Sequence, residues 1–328
     1  QKEKFTIVVS ARGNTTDELE AILEKAAAKK AYQTDFEKLQ TYQLVPNKNV
    51  DLSSEFSKLK SIFEGVSLLG DYSEKIKDEV LAHGELLSVK LLASLLENQG
   101  IPIAIVDARK LIITDENFGN AQPIKTISKE NVVKFFKENS KTVNLVTGFI
   151  ASNQKNETTT LGRNGSNYTA ALLANFLDAD ELQNYTHVNG IFTANPELVT
   201  DAKKIDQLSF SEANELANFG ATILHAKTII PLLEKNINLR ILNTFNKEDK
   251  GTLITSESGA KGIKSISTIT NVCLLNFEGR GLLGKVGVDA RIFKTLSAKN
   301  ISVSIISQGS SERGIGFVIE ENKAEEAV

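Results

Sequence analysis

The sequence predicts an α/β domain with a mostly parallel sheet sandwiched by helices, followed by a partial ferredoxin-like unit. Three observations predict it. Short β-branched runs alternate with amphipathic helical stretches over about 250 residues. The polar, glycine-containing run Ser256-Glu257-Ser258-Gly259-Ala260-Lys261-Gly262 then breaks the pattern. Beyond it the order is strand, helix, strand, strand and the first turn of a helix. The expected divisions are a first domain over 1–256, a linker over 257–268 and a second domain over 269–328.

Phe5 to Val9 is a β-branched run suited to a buried parallel strand. Asp17 to Lys30 places Leu19, Ile22, Leu23 and Ala26 on one helical face. Ser53 to Asn98 reads as helical throughout, closed by Gly100 as a C′ glycine. Strands are expected at Ile101–Asp107 and Val143–Ile150. Ser166 is placed to cap the helix through Ala170, Leu172, Leu173 and Phe176. Ser209 and Glu212 have capping-box spacing before a helix ending at Gly220. Asn238–Asn243 and Thr252–Thr255 read as the last strands of the first domain. Past the linker come a strand (Asn271–Phe277), a helix (Val286–Lys299) and strands Ile301–Ser307 and Gly316–Glu320.

Composition narrows the function. Of the 328 residues, 41% are hydrophobic and 24% charged, which favours a large buried core over disorder. A net charge of −3 argues against a nucleic-acid partner. There is one cysteine, Cys273, in an apolar run where a buried thiol is expected, and three scattered histidines offer no metal cluster. With no signal peptide and no apolar run long enough for a membrane, the chain reads as cytoplasmic. It contains no methionine, even at position 1, so it is expected not to begin at its native start.

Gly279, Gly281 and Gly284 spell a dinucleotide fingerprint between a strand and a helix, but the next strand ends in Ile305-Ile306-Ser307, without the acid that would hold a ribose. Gly279 to Lys285 also matches most of a phosphate loop, but Val286 stands where a magnesium-binding hydroxyl is needed. The better reading is a loop whose amides hold a small carboxylate.

Three polar clusters at strand-to-helix junctions carry the chemistry. Ser10-Ala11-Arg12-Gly13-Asn14-Thr15-Thr16-Asp17 offers amides and hydroxyls to an anion, or is an ordinary N-cap turn. In His83-Gly84-Glu85-Leu86-Leu87-Ser88, a carboxylate in an apolar helix needs a partner, either a substrate ammonium or a structural ion pair. Thr158 to Thr169 brackets Arg163 between glycines before a helix N-terminus, a setting that suits a carboxylate ligand.

These clusters, with Asn189-Gly190-Ile191-Phe192-Thr193-Ala194-Asn195-Pro196 and Phe219-Gly220-Ala221-Thr222-Ile223-Leu224-His225, resemble the aspartokinase family in order and over essentially the whole chain. The resemblance implies an amino-acid-kinase-like fold and transfer of the ATP γ-phosphate, with Mg²⁺, to the side-chain carboxylate of L-aspartate. Such enzymes serve lysine and threonine biosynthesis. By position, Thr16, Glu85 and Arg163 are implied to hold aspartate, with Glu85 on the ammonium and Arg163 on a carboxylate. Phe149 and Ser166 are implied to line the same pocket. Ser10 is implied to face the reacting phosphate, so that Ser10 and Arg163 are the implied catalytic pair. Thr186, His187, Phe192, Glu197, Thr222 and Ile223 are implied to hold the nucleotide.

The last segment resembles a first ACT unit through Gly279-Arg280-Gly281-Leu282-Leu283-Gly284 and Ser307-Gln308-Gly309-Ser310-Ser311-Glu312. This implies threonine or lysine as a feedback effector at Gly281, Leu283, Gln308, Ser310 and Glu312, and a homodimer or larger assembly through these units. The Gln-Gly-Ser-Ser-Glu pattern leans towards fusions with homoserine dehydrogenase.

The chain also departs from the family. The family pattern opens with a Lys-Phe-Gly-Gly strand well before the Ser10 cluster, and this chain begins too late to contain it. A piece lacking that lysine is expected to lose about 10²–10³ in rate. His187 stands for a usual aspartate, Phe192 for tyrosine, Glu197 for arginine, Thr222 for lysine and Asn167 for aspartate. The aspartate pocket is thus better preserved than the ATP pocket. A non-catalytic paralogue that binds aspartate or an effector is the alternative, and a kinase for another acidic substrate such as glutamate is a third reading.

Overall fold

The computed structural model describes residues 5–139, 143–218, 225–257, 262–279, 286–308 and 314–328. They form two compact units, Gln1–Ser265 and Ile266–Val328. The first opens with strand β1 (Thr6–Val9) and helices α1 (Thr15–Ala27), α2 (Gln33–Leu44), α3 (Ser53–Leu69), α4 (Glu74–Leu81) and α5 (His83–Glu97). Next come β2 (Ile103–Val106), β3 (Ile113–Thr114), α6 (Lys125–Glu138), β4 (Val143–Thr147), β5 (Ile150–Asn153), β6 (Thr158–Thr160) and α7 (Gly165–Phe176). The unit continues through β7 (Glu181–Thr186), β8 (Gln207–Ser209), α8 (Phe210–Asn218), α9 (Ala226–Leu233), β9 (Asn238–Asn243) and β10 (Thr252–Thr255).

The strands form sheets of order β1-β4-β2, β3-β5-β6 and β7-β9-β10-β8. Pairing is parallel for β1 and β2 with β4, β3 with β5, β7 with β9, and β8 with β10; β5–β6 and β9–β10 are antiparallel. The expected mostly parallel character therefore holds.

The period-two alternation of a strand explains the sandwich. Leu145 of β4 packs with Val9, Val89 and Ala93, on the side of α5. Its neighbour Val146 joins Val106, Leu172, Leu173 and Phe176, on the side of α7. Beside this sheet, α1 to α5 share their own core, in which Leu19, Leu23, Leu59, Phe63 and Leu87 are fully buried. Burying side chains of this size contributes about 1.5–3 kcal/mol each. Phe36 meets Phe63 edge to face with centroids 5.4 Å apart.

The helical stretch expected over 53–98 is three helices: Gly70 turns the chain with φ at +81° and caps α3 through its amide to the Val66 carbonyl, and a second break falls at Ala82, between α4 and α5. Ser73 then starts α4 by accepting the Ile76 amide. Helix α2 escaped the sequence reading, since only Phe36, Leu39 and Gln43 of its twelve residues are buried. The strand expected over 143–150 is two, β4 and β5, broken at Gly148 and Phe149. Ser209 and Glu212 form the expected reciprocal box, with Ser209 N donating to Glu212 Oε2 and Glu212 N to Ser209 Oγ. Gly220 lies outside the described residues.

The second unit holds β11 (Val272–Glu278), α10 (Val288–Ala298), β12 (Ile305–Gln308), β13 (Gly314–Glu320) and the short helix α11 (Ala324–Ala327). The antiparallel sheet runs β11-β13-β12, the expected βαββα order. Leu296, Ile315, Phe317 and Ile319 form its core. Cys273 is half-buried against that core rather than buried, since β11 has helix cover on one face only.

Gly70→Ala forces a Cβ into a left-handed backbone and to 2.7 Å from the Lys29 side chain. It is expected to cost about 1–2 kcal/mol of stability, read as a lower urea midpoint at unchanged slope.

Candidate active site

One cavity of about 600 Å³ opens in the first unit, and Ser10, Thr16, Glu85, Phe149, Arg163 and Ser166 all line it. Residues from four separate stretches of chain thus reach one space. The loop after β1 supplies Ser10, the first turn of α1 supplies Thr16 and the first turn of α5 supplies Glu85. Phe149 comes from the β4–β5 corner, and the turn into α7 brings Arg163 and Ser166.

Close backbone approach makes this possible. A Cβ on Gly148 would stand 2.6 Å from Cβ of Ser166, so only glycine lets the first turn of α7 sit on the β4–β5 corner. Phe149 itself has φ at +63°, a conformation that costs a bulky residue about 1–3 kcal/mol. Neighbours hold it there, as its amide donates to Thr169 Oγ1 and its carbonyl accepts the Leu161 amide. The expectation that Ser166 caps α7 is corrected. Asn164, with φ at +55°, occupies the N-cap, and Ser166 lies inside the first turn, on the cavity.

Glu85 is 3% exposed. Its Oε1 accepts the Ala11 amide at 3.0 Å, which ties α5 to the Ser10 loop. Its Oε2 is buried with no hydrogen-bond partner; Ser166 lies near without hydrogen-bond geometry to it. Burial pushes the carboxyl up to about 8, against weaker opposing effects of the Ala11 amide, the Glu85 amide and the Ser166 hydroxyl. No cation among the described residues pairs with it, so the structural ion pair left open by the sequence is absent there. Arg163 is exposed at the tip of its turn and makes no hydrogen bond or ion pair with any described residue. An unpaired carboxylate and an unpaired guanidinium in one cavity match the ammonium and carboxylate of an amino acid.

Sequence reasoning missed part of this wall. Asp78 of α4 is fully buried on the cavity and accepts the Gly119 amide, the Thr160 amide and the Thr160 hydroxyl at 2.7–2.9 Å. Burial raises its pKa, those three hydrogen bonds oppose the rise, and Glu74 adds to it. Glu20, Glu74 and Lys77 also line the cavity, and Lys77 pairs with Glu20. One charge among many in the polar run Glu74 to Glu79 gave no signal that Asp78 faced inward.

The expected nucleotide residues lie elsewhere in the same unit. Thr186 ends β7, where its Oγ1 accepts the Val188 amide at 3.0 Å. His187 and Glu197 are exposed, and Phe192 is half-buried and bridges to Lys204. None of the four lines the 600 Å³ cavity. Thr222 and Ile223 lie outside the described residues. So do the effector candidates Gly281, Leu283, Ser310 and Glu312, while Gln308 is exposed at the end of β12, paired with Ile315.

Because the folded pKa of Glu85 exceeds the unfolded value, the folded state holds the extra proton between about 4.5 and about 8. Stability therefore falls as pH rises through that window. Glu85→Gln, which keeps an acceptor for Ala11, is expected to raise the melting temperature by a few degrees at pH 8.5 and hardly at pH 5. Equal shifts at both pH values would contradict the assignment.

Residues 1–243 match the Amino acid kinase family and residues 275–328 match the ACT domain. Among curated proteins, the bifunctional aspartokinase/homoserine dehydrogenase of Haemophilus influenzae is 33% identical over 347 aligned positions, which cover 99% of this chain and 42% of that protein. The chain thus spans less than half the length of this relative. Two crystal structures of E. coli aspartokinase III, one with aspartate and ADP and one with lysine and aspartate, superpose with TM-scores of 0.80 and 0.79 at 28% identity. Each covers 96% of this chain and 72% of the E. coli chain. With a family match over most of its length, on a unit of the corresponding architecture, the chain belongs to the amino acid kinase family.

Proposed function

We infer that the chain is the kinase portion of an aspartokinase, which moves the γ-phosphoryl group of ATP to the side-chain carboxylate of L-aspartate. The observation that carries this reading is the pairing, in one cavity, of the unpartnered Glu85 Oε2 with the unpartnered Arg163 fork. Glu85 takes the substrate ammonium and Arg163 a carboxylate, while Thr16, Phe149 and Ser166 shape the pocket. Ser10, on the loop fixed by the Ala11–Glu85 bond, faces the phosphate to be transferred. The chemistry asks the protein mainly for positioning and for neutralisation of charge, and these residue types supply both.

ATP supplies the phosphoryl group. Thr186, His187, Phe192 and Glu197, with Thr222 and Ile223, are the residues proposed to hold it. Among the described residues no group of three His, Cys, Asp or Glu side chains could hold a metal ion. Mg²⁺ in this reading arrives on the nucleotide phosphates. No described helix is long and apolar enough to cross a membrane. Threonine or lysine is the proposed effector of the second unit at Gly281, Leu283, Gln308, Ser310 and Glu312, with a second copy of the chain meeting it there. Lysine is present in one structure of the E. coli relative.

The altered nucleotide side supports a second reading, a protein that binds aspartate without phosphorylating it. His187 is exposed and makes no hydrogen bond with any described residue. ATP-dependent acyl phosphate trapped as the hydroxamate decides between the two, measured on this chain and on the longest protein its gene encodes. Product that requires L-aspartate supports the kinase; aspartate binding without product supports the second reading, and no binding removes both.

Two further outcomes are expected. Arg163→Ala should weaken aspartate binding at least about tenfold while ATP binding changes little, by calorimetry. Aspartate affinity should also rise as pH increases from 6.5 to about 8, because the ammonium pairs only with ionised Glu85, and should level off above it. A flat profile would remove Glu85 from that role.

A further inference from the structure

Lys227 is a half-buried cation of the first unit without an ion-pair partner among the described residues. It stands in the first turn of α9, where its amide donates to His225 Nδ1 at 3.2 Å. Its ammonium donates to the Leu161 carbonyl at 3.0 Å and to Asn120 Oδ1 at 2.5 Å, and lies 6.0 Å from the Tyr168 ring centroid. No carboxylate among the described residues forms an ion pair with it, and burial lowers its pKa. A half-buried lysine without a counter-ion is costly, and here its donors go to the segment that carries Arg163.

That segment is held at several points. Leu161 is fully buried and its amide donates to the Phe149 carbonyl, while the Gly165 amide closes the turn onto the Gly162 carbonyl. Asn120 packs over Gly162, where a Cβ would stand 2.7 Å from Oδ1. On the opposite side, Asp78 binds the amides of Gly119 and Thr160. One buried anion and one half-buried cation, from α4 and α9, therefore grip the same two neighbouring segments, 119–120 and 160–161. The anion takes their donors and the cation their acceptors. Arg163, two residues beyond Leu161, is left with its fork free.

We propose that Lys227 is a positioning residue that clamps the 161–165 turn through Leu161 and Asn120, and so holds Arg163 at the cavity. Lys227 does not line the cavity. Its effect on ligand binding rests on the aspartate reading given above, but its effect on the turn does not.

The test compares Lys227→Met, Lys227→Arg and Asn120→Ala in the intact chain, by amide hydrogen exchange and by calorimetry with L-aspartate and ATP. Lys227→Met should lose about tenfold protection within 161–165 and leave β4 and β9 unchanged. Lys227→Arg, which can still donate to two oxygens, should restore most of it. Aspartate affinity should fall about tenfold with ATP affinity constant, and adding Lys227→Met to Arg163→Ala should weaken aspartate no further. Unchanged protection in Lys227→Met, or additive losses in the double variant, would overturn the clamp. If Lys227→Met unfolds the unit, exposed Asn120 decides: local loss over 161–165 supports the clamp and none overturns it. A wild-type chain that binds no aspartate sinks the functional reading alone, and the exchange arm still decides the clamp.

Discussion

The burial of Glu85 is the constraint around which the site is arranged. A carboxylate at 3% exposure with one oxygen unsatisfied is a standing cost to the fold. Such a group persists where something outside the chain completes it, and its raised pKa is the same fact in protonic terms. The single bond it does make, to the Ala11 amide, also sets the course of the Ser10 loop. The group that would receive a ligand is therefore also the group that fixes the neighbouring wall, and a change at Glu85 acts on both.

The opposite wall solves a different problem. In the proposed function Arg163 must be free to bind, so its position is not fixed through its own side chain. The turn around it is fixed instead, by a left-handed Asn164, by Phe149 in an unfavourable backbone conformation, and by the close contact that Gly148 allows with Ser166. Asp78 and Lys227 add charged hydrogen bonds to backbone groups. Strain and buried charge are thus concentrated in the residues behind the cavity, leaving exposed the group that faces it.

What could be read from the sequence follows from which signals are local. The face of α1 through Leu19, Ile22, Leu23 and Ala26 was legible because helix periodicity is a local pattern, as were β9 and β10 and the Ser209–Glu212 box. The gathering of Ser10, Thr16, Glu85, Phe149, Arg163 and Ser166 was expected from resemblance rather than from any single stretch. Asp78 and Lys227 were not legible. Each owes its role to a backbone group far along the chain, Thr160 for one and Leu161 for the other, and nothing near either residue marks it. The division of 53–98 into three helices has two causes, a left-handed Gly70 that the pattern around it did not demand and a break at Ala82 that no glycine marks.

The same distinction bears on the residues proposed to hold the nucleotide. His187 and Glu197 differ from the residues usual in the resembling family, and both are exposed. A pocket built from exposed side chains can change residue by residue at little cost to stability, because each replacement leaves the packing intact. The cavity proposed to hold aspartate is wired in more deeply. A residue without an acceptor at position 85 would leave the Ala11 amide unpaired, and a side chain at Gly148 would collide with Ser166. Better preservation of the proposed aspartate side is therefore the expected consequence of how deeply that side is wired into the core. Divergence at His187 and Glu197 is weak evidence against phosphoryl transfer, whereas loss of Glu85 or Arg163 would have been strong evidence.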